Sequence, residues 1–189
     1  MEYTCVDNNT HTESLPSEIG KLTSLKGLLT GYNRMKGTLP TNIGQVNALE
    51  YLCMGFNLYN GTIPTKIGKL TSLQSLRLQS NALTDTIPTE LGQLDHFAIL
   101  KLYYDNDLIG TIPDKLLSVR QQGVLAFEIQ GNLLSNLTPI LGEVTCGSLN
   151  RGEQYYNCRS DCVVHADWCT CTEATACCEK DNNYNPCIL

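Results

Sequence analysis

The residues most able to do chemistry in this chain are its cysteines, because ten of them occur among 189 residues. Eight fall within the last 44 residues, namely Cys146, Cys158, Cys162, Cys169, Cys171, Cys177, Cys178 and Cys187. A polar segment this short cannot bury enough apolar surface to fold alone, so it normally needs covalent links. The spacing therefore predicts disulfide bonds and an oxidising compartment, although it does not select among the possible pairings.

The same cysteines could instead hold a metal ion, with Cys169, Cys171, Cys177, Cys178 and His165 as candidate ligands. Structural zinc sites usually take cysteine pairs separated by about two to four residues, whereas here the spacings are C-x-C and C-C. We therefore expect disulfides and no metal site. The sequence also lacks a nucleophile with a recognisable base, a phosphate loop and a dinucleotide fingerprint, so we expect neither catalysis nor a cofactor.

Charge and hydropathy exclude further classes of partner. The chain carries 13 Lys and Arg against 19 Asp and Glu, a formal charge of -6, which is opposite to the basic footprint of nucleic-acid binders. No apolar run approaches the roughly 18–20 residues of a membrane span. The polar start MEYTCVDNNT lacks the apolar core of a signal peptide. We expect no nucleic-acid partner and no membrane span in this chain.

A repeat organises the first three quarters of the sequence. Six prolines follow one another at spacings of 24, 24, 24, 25 and 26 residues, and an asparagine precedes each by seven; the prolines are Pro16, Pro40, Pro64, Pro88, Pro113 and Pro139. Residues 70–93 read LTSLQSLRLQSNALTDTIPTELGQ. Leu76 and Leu78 stand two apart, so they face the same side of a short strand, and Arg77 faces the other. One such unit cannot bury a core alone, so the units must stack.

The repeat resembles the plant-type leucine-rich repeat, L-x-x-L-x-x-L-x-L-x-x-N-x-L-x-G-x-I-P-x-x-L-G-x, over residues 1–142. The resemblance implies an α/β fold, a right-handed solenoid of about six repeats with a parallel concave sheet. The repeat asparagines would form a buried ladder that satisfies backbone groups. Within segment 143–189, the stretch CRSDCVVHADWCTCTEATACC resembles the short Cys-rich tail found after plant-type repeats in proteins of diatoms and related algae. We expect the segment to form a small disulfide-rich cap over the last repeat.

The first repeat is incomplete, because aligning Asn9 and Pro16 puts Met1 at the fourth position of a unit. We expect an open sheet edge there, with His11 at a core-type position, and interpret the sequence as a fragment whose upstream part holds a cap and a signal peptide. Cys5 and Cys53 occupy the same outward position two units apart, about 9–10 Å. That exceeds the roughly 4.4–6.8 Å of a disulfide, so we expect free thiols or bonds to other segments.

We expect function on the concave face, which is formed by the outward side chains of the predicted sheet. Its candidate partner-binding residues are Tyr32, Tyr51, Phe56, Arg77, Gln79, Lys101, Tyr103, Tyr104 and Glu128. Aromatic and arginine side chains are frequent binding anchors, and tyrosine can also stack on sugar rings. The leading hypothesis is a receptor-like, non-enzymatic extracellular module that binds a protein or peptide. The alternatives are a cell-wall polysaccharide binder and a structural or adhesion protein crosslinked through its Cys tail.

Three N-glycosylation sequons begin at Asn8, Asn60 and Asn136. Asn60 is the best candidate, because it lies in the turn region away from the concave face. Asn8 precedes a ladder residue and is expected to be occluded.

Overall fold

The computed structural model describes residues 2–121, 126–129 and 131–135. The predicted disulfides and the predicted cap of segment 143–189 lie outside these residues, as does Asn136. In chain order the strands are β1 (Tyr3–Cys5), β2 (Gly27–Leu29), β3 (Lys36–Thr38), β4 (Tyr51–Cys53), β5 (Leu58–Gly61), β6 (Ser75–Arg77), β7 (Ala82–Thr86), β8 (Ile99–Lys101), β9 (Asp107–Gly110), β10 (Ala126–Glu128) and β11 (Leu133–Leu134).

The strands form two parallel sheets, one on each side of the stacked repeats. The six-stranded sheet has the order β1-β2-β4-β6-β8-β10, and the five-stranded sheet has the order β11-β9-β7-β5-β3. In the six-stranded sheet Leu28 pairs with Leu52, Leu52 with Leu76, and Leu76 with Leu100. Each strand therefore lies beside the equivalent strand of the next repeat, and the predicted α/β solenoid with a parallel sheet is confirmed.

Short helices connect the sheets on the remaining side. Four 3₁₀ helices of five residues follow the repeat prolines, at Ser17–Lys21, Thr41–Gln45, Thr65–Lys69 and Thr89–Gln93. Their glycines let neighbouring repeats approach closely, because a Cβ on Gly44 would lie 2.3 Å from the carbonyl oxygen of Lys66. In the fifth repeat Leu117 replaces this glycine, and an α-helix, α1 (Asp114–Gln121), forms there. Within the described residues, no helix is long and apolar enough to cross a membrane.

The asparagine ladder lies beside the leucine core. Asn57 shows its geometry: its Oδ1 accepts the backbone N–H of Met35 at 3.0 Å, and its Nδ2 donates to the carbonyl of Thr30 at 2.9 Å, both in the preceding repeat. Exposure is 9% or less for all five interior members, Asn33, Asn57, Asn81, Asn106 and Asn132. The predicted ladder is confirmed. It satisfies buried backbone groups that the turns leave unpaired.

The residue before each ladder asparagine adopts a left-handed backbone conformation. Tyr32, Phe56 and Ser80 have φ of 49°, 56° and 51°. In the fourth full repeat, which is one residue longer, two successive residues do so: Tyr104 with φ of 52° and Asp105 with φ of 53°. The insertion is thus accommodated at the end of the strand, and the ladder continues through Asn106.

A second left-handed position precedes the I-P step of the repeat. Gly37, Gly61 and Gly110 have φ of 84°, 71° and 79° there. Asp85 occupies the equivalent position with φ of 68°, and its carboxylate accepts the backbone N–H of Thr86 at 2.8 Å. Aspartate tolerates this conformation better than most residues because it makes such local hydrogen bonds.

The first repeat differs from the interior ones. His11 lies at the core-type position predicted for it, equivalent to that of buried Tyr59, yet its side chain is exposed at this open end. Its backbone N–H still donates to Asn33 Oδ1 at 3.1 Å. Repeat position alone therefore does not bury a side chain, because in the described part of the chain only the second repeat packs against the first.

Candidate functional site

The strands of the six-stranded sheet direct their side chains to two sides. The central residues Leu28, Leu52 and Leu76 belong to the main apolar core. Tyr51 and Cys53, which flank Leu52, belong to a separate cluster with Leu29, against which Tyr32 packs. This second cluster lies on the concave face, as the two-residue period of a strand requires.

The concave face is much less exposed than a solvated sheet surface. Exposed fractions are Tyr51 9%, Cys53 1%, Arg77 5%, Gln79 4%, Lys101 7% and Tyr103 1%. Lysine and arginine are rarely buried this deeply without partners. These predicted binding residues therefore share one face of the sheet, and their side chains are largely buried.

Polar contacts join several of the predicted residues. Lys101 Nζ lies 2.9 Å from Glu128 Oε1 in a largely buried ion pair. Arg77 Nε donates to Ser75 Oγ at 3.2 Å. Burial, followed by the nearby negative charge of Glu50, raises the pKa of the Tyr51 hydroxyl, so Tyr51 is a neutral hydrogen-bonding phenol at physiological pH.

Two aromatic pairs stand at the end of the strands. The rings of Tyr32 and Phe56 stack with centroids 4.2 Å apart and planes 11° apart. Tyr103 and Tyr104 make an edge-to-face pair at 4.8 Å and 76°. Such contacts stabilise paired rings beyond their buried area. They hold the aromatic side chains in fixed positions along one border of the concave face.

Gln79 packs over the adjacent repeat at the same border. A Cβ on Gly55 would lie 2.6 Å from the side-chain Cδ of Gln79, so the glycine makes room for the amide. The Gln79 Oε1 atom is buried, and it accepts no hydrogen bond from the part of the chain that the structure describes. A buried acceptor without a donor is costly, and this atom is therefore suited to receive a hydrogen bond from a bound group.

The two cysteines of the repeats have different states. Cys5 pairs in register with Leu29, and Leu29 with Cys53, so a whole strand separates the two cysteines. Cys5 is exposed and free, whereas Cys53 is disulfide-bonded. The prediction that they do not bond to each other is confirmed. Among the described residues, no group of His, Cys, Asp or Glu side chains could hold a metal ion.

Two of the three predicted glycosylation sites can be placed. Asn60 is exposed in β5, on the sheet opposite the concave face. Asn8 is also exposed, so the expectation that it is occluded is wrong. The ladder begins to bury its members only from Asn33 onward, which leaves the neighbourhood of Asn8 open.

Stacked parallel strands, a buried asparagine ladder and a mixed aromatic and polar face together define a leucine-rich repeat solenoid. The chain belongs to the leucine-rich repeat family: a family model described as a leucine-rich repeat region matches residues 6–122. No curated protein matches the chain. The resemblance of segment 143–189 to algal Cys-rich tails stays a prediction.

Solved structures of plant proteins share the fold. The ectodomain of the membrane receptor kinase GASSHO1/SCHENGEN3 from Arabidopsis thaliana, in complex with CASPARIAN STRIP INTEGRITY FACTOR 2, is 32% identical with a TM-score of 0.68, covering 75% of this chain and 17% of that chain. The plant peptide hormone receptor RGFR1, in complex with RGF2, is 30% identical with a TM-score of 0.65, covering 71% and 21%. A plant ice-binding protein is 27% identical with a TM-score of 0.59, covering 62% and 38%. The chain thus spans only a part of each.

Proposed function

We propose that this chain is a non-enzymatic extracellular recognition module that binds a peptide or protein on its concave face. The observation that carries the proposal is the convergence of fixed aromatic rings with Arg77 and Lys101 on one regular sheet. Rigid aromatic and arginine side chains are the usual anchors of protein interfaces. The similarity to two receptor structures, each solved with its ligand, supports the same class of function.

The chemistry of the face favours an extended ligand with an acidic group. Lys101 is paired with Glu128, and Arg77, whose Nε donates to Ser75 Oγ, carries a planar guanidinium of the kind that matches a carboxylate. Gln79 Oε1 adds a buried acceptor for a ligand N–H. A peptide that crosses the strands can place a carboxylate near Arg77 and an apolar side chain against Tyr51.

Alanine substitutions test the concave face. Ligands are first selected from a phage-displayed library of random peptides, and their affinities are then measured for Tyr51→Ala, Arg77→Ala and Tyr103→Ala. Loss of an anchor should weaken binding by at least about tenfold. Leu58→Ala is the matched control, because Leu58 is 57% exposed on the opposite sheet. Unchanged affinity in all three variants would remove the concave face from the proposal.

The same reagents separate the two alternatives. If the aromatic row binds cell-wall polysaccharide, a polysaccharide pull-down retains the protein, and Tyr51→Ala abolishes retention. If the protein is a crosslinked adhesion component, multimers appear on non-reducing gels and vanish after thiol treatment. An extracellular location predicts glycan at the exposed Asn60 when the protein is secreted from a eukaryotic cell.

A second candidate function is binding to an ordered solid surface such as ice. The observation that favours it is two rows of exposed hydroxyl side chains, one just before and one just after the repeat proline. The row before the proline consists of Ser14, Thr38, Thr62, Thr86 and Thr111, and the row after it consists of Ser17, Thr41, Thr65 and Thr89. Successive rungs of a parallel sheet lie about 4.7–4.9 Å apart, so the hydroxyls repeat regularly. One of the similar structures is an ice-binding protein.

An ice recrystallisation assay tests this second candidate. Thr62→Lys places a long charged side chain in the middle of one row, and we expect it to abolish any inhibition of crystal growth. Leu58→Lys adds the same charge at an exposed position outside both rows and should leave the inhibition intact. If the unaltered protein does not inhibit ice recrystallisation, this second function is excluded, and the peptide-binding proposal is unaffected.

A further inference from the structure

One position interrupts a row of aromatic residues at the border of the concave face. This border row takes one residue from each of four successive repeats: Tyr32, Phe56, Ser80 and Tyr104. The four are in register, because the backbone N–H groups of Tyr32, Phe56 and Ser80 each donate to the carbonyl of the residue just before the next member, at 3.1, 2.8 and 3.0 Å. Three of the positions carry an aromatic ring, and Ser80 carries none.

Ser80 has the backbone conformation of its aromatic neighbours. Its φ is 51°, against 56° at Phe56 and 52° at Tyr104, so a side chain at this position leaves the backbone as those rings do. The serine side chain ends at its hydroxyl, directly beyond Cβ. The border row therefore lacks a ring in this repeat, although the backbone is arranged as in the repeats that have one.

Phe56 presents one ring face toward this position. Its ring stacks on Tyr32 of the preceding repeat, with centroids 4.2 Å apart and planes 11° apart. The opposite face is turned toward the next repeat, to which Ser80 belongs. Among the described residues no second aromatic ring stacks on Phe56, and the ring of Tyr104 makes its edge-to-face pair with Tyr103 of its own repeat. The stack of two rings thus stops at Ser80.

We propose that the position of Ser80 is a subsite for an aromatic side chain of the bound peptide, which stacks on Phe56 and continues the border row. Strands of successive repeats lie about 4.7–4.9 Å apart, so Phe56 and Tyr104 are separated by about 9–10 Å along the row. A ring placed on Phe56 at the 4.2 Å of the existing stack would lie about 5–6 Å from the repeat of Tyr104, a separation at which aromatic rings attract each other. One ring therefore fills the interval.

The subsite is open to a ligand in a way that the centre of the concave face is not. Phe56 and Ser80 are only half-buried, whereas Tyr51 and Arg77 are 9% and 5% exposed. A peptide ring can therefore reach Phe56 from the border without displacing buried side chains. The inference rests on the proposed function and deepens it, because it names one chemical group that the peptide carries.

A double-mutant cycle between protein and peptide tests the subsite. Peptides are selected from the phage-displayed library on the unaltered protein, and we expect each to carry an aromatic residue whose replacement by leucine weakens binding at least about tenfold. Ser80→Tyr fills the subsite with the protein's own ring and should weaken binding of the parent peptide by at least about the same factor. On Ser80→Tyr the leucine peptide should bind as well as the parent peptide, because the peptide ring has lost its place.

Further variants separate a filled subsite from a damaged protein. Tyr32 and Tyr104 already adopt this backbone conformation, so Ser80→Tyr should fold, which its circular dichroism spectrum checks. Ser80→Ala leaves the subsite open, and Ala82→Tyr adds the same ring at an exposed position of the opposite sheet; both should bind the parent peptide as the unaltered protein does. Phe56→Leu removes the stacking face and should weaken binding of the parent peptide but not of the leucine peptide, which keeps the test decisive if Ser80→Tyr does not fold.

The outcomes distinguish this inference from the proposed function. If ring replacement costs the same affinity on the unaltered protein and on Ser80→Tyr, the subsite is overturned, while the concave face stands as long as Tyr51→Ala still weakens binding. Selected peptides without aromatic residues would overturn the subsite in the same way. If Ser80→Tyr instead abolishes retention on polysaccharide, the occupant is a sugar ring, against the proposal. A library that yields no binding peptide removes the proposed function and this inference together.

Discussion

Two repeats placed 48 residues apart carry matching residues in contrasting environments. The matched pairs are Tyr3 with Tyr51, Cys5 with Cys53, and Asn9 with Asn57. In the first repeat the tyrosine is 38% exposed, the cysteine is a free thiol and the asparagine is exposed. In the third repeat the tyrosine is 9% exposed, the cysteine is disulfide-bonded and the asparagine is buried. Position within a repeat sets the direction of a side chain, whereas packing on both sides decides its burial.

The largest expected contrast concerns ion pairs. Glu128→Gln removes the partner of buried Lys101 and should cost about 3 kcal/mol, since it leaves a buried charge uncompensated. Lys26→Gln breaks the exposed pair with Glu2 at the first repeat and should have no measurable effect. Urea denaturation midpoints measure both. Equal effects would show that the edge and the interior do not differ electrostatically.

The asparagine ladder should give the next largest difference. Asn57→Ala leaves the Met35 N–H without its acceptor and removes one of the two amide donors to the Thr30 carbonyl, and we expect a loss of about 2–3 kcal/mol. Asn9 is exposed, and among the described residues its Nδ2 donates to the nearby Val6 and Asp7 carbonyls, so Asn9→Ala should change stability by less than about 0.5 kcal/mol. Thermal unfolding followed by circular dichroism measures both variants. A large effect of Asn9→Ala would contradict the contrast.

Backbone conformation should produce a smaller effect that differs in sign between repeats. Gly61→Ala places a Cβ at φ of 71° and 3.0 Å from the methyl group of Thr38, and should destabilise by about 1–2 kcal/mol. Asp85→Gly relieves a left-handed aspartate and should gain up to about 1 kcal/mol. The same unfolding measurement checks both variants. Destabilisation by Asp85→Gly would mean that the hydrogen bond to Thr86 outweighs the backbone strain.

The smallest expected effect is on thiol reactivity at the edge. Burial and then Asp7, through its hydrogen bond and negative charge, raise the pKa of the Cys5 thiol, because both favour the protonated form. Asp7→Asn should lower this pKa and speed alkylation below it, since the thiolate is the nucleophile. Alkylation rates of Cys5, followed in the tryptic peptide of residues 1–21 as a function of pH, measure the shift. Glu2→Gln serves as the control, and an unshifted profile in Asp7→Asn would exclude the role of Asp7.

The solenoid and its core were predictable because each depends on a local period. Leu52 and Leu76 occupy the same position in successive 24-residue repeats, and Asn57 and Asn81 each precede a repeat proline by seven residues. The five-stranded sheet was not predicted. Its strands, such as Lys36–Thr38, lack apolar alternation, and they form because stacking brings equivalent backbone segments together.

The candidate site was predictable in composition but not in environment. The alternation around Leu76 correctly placed Arg77 on the face opposite the core. Its burial was not predicted, because burial depends on every group packed around a side chain, and a strand pattern tells only which side of the strand the residue faces. The ion pair of Lys101 with Glu128 also escaped prediction, since it joins neighbouring repeats whose exact offset is altered by the insertion near Tyr104.

The asparagine ladder has a direction that bears on how the protein is made. Each interior asparagine bonds to backbone groups of the repeat before it in the chain, as Asn81 does to Tyr59 and Met54. The asparagine of a repeat emerging from the ribosome therefore finds its backbone partners already synthesised, and its arrival satisfies the groups that the preceding repeat had left open. The chain is synthesised from its amino terminus, and each new repeat bonds to the one made before it. The repeats can therefore assemble one after another during translation.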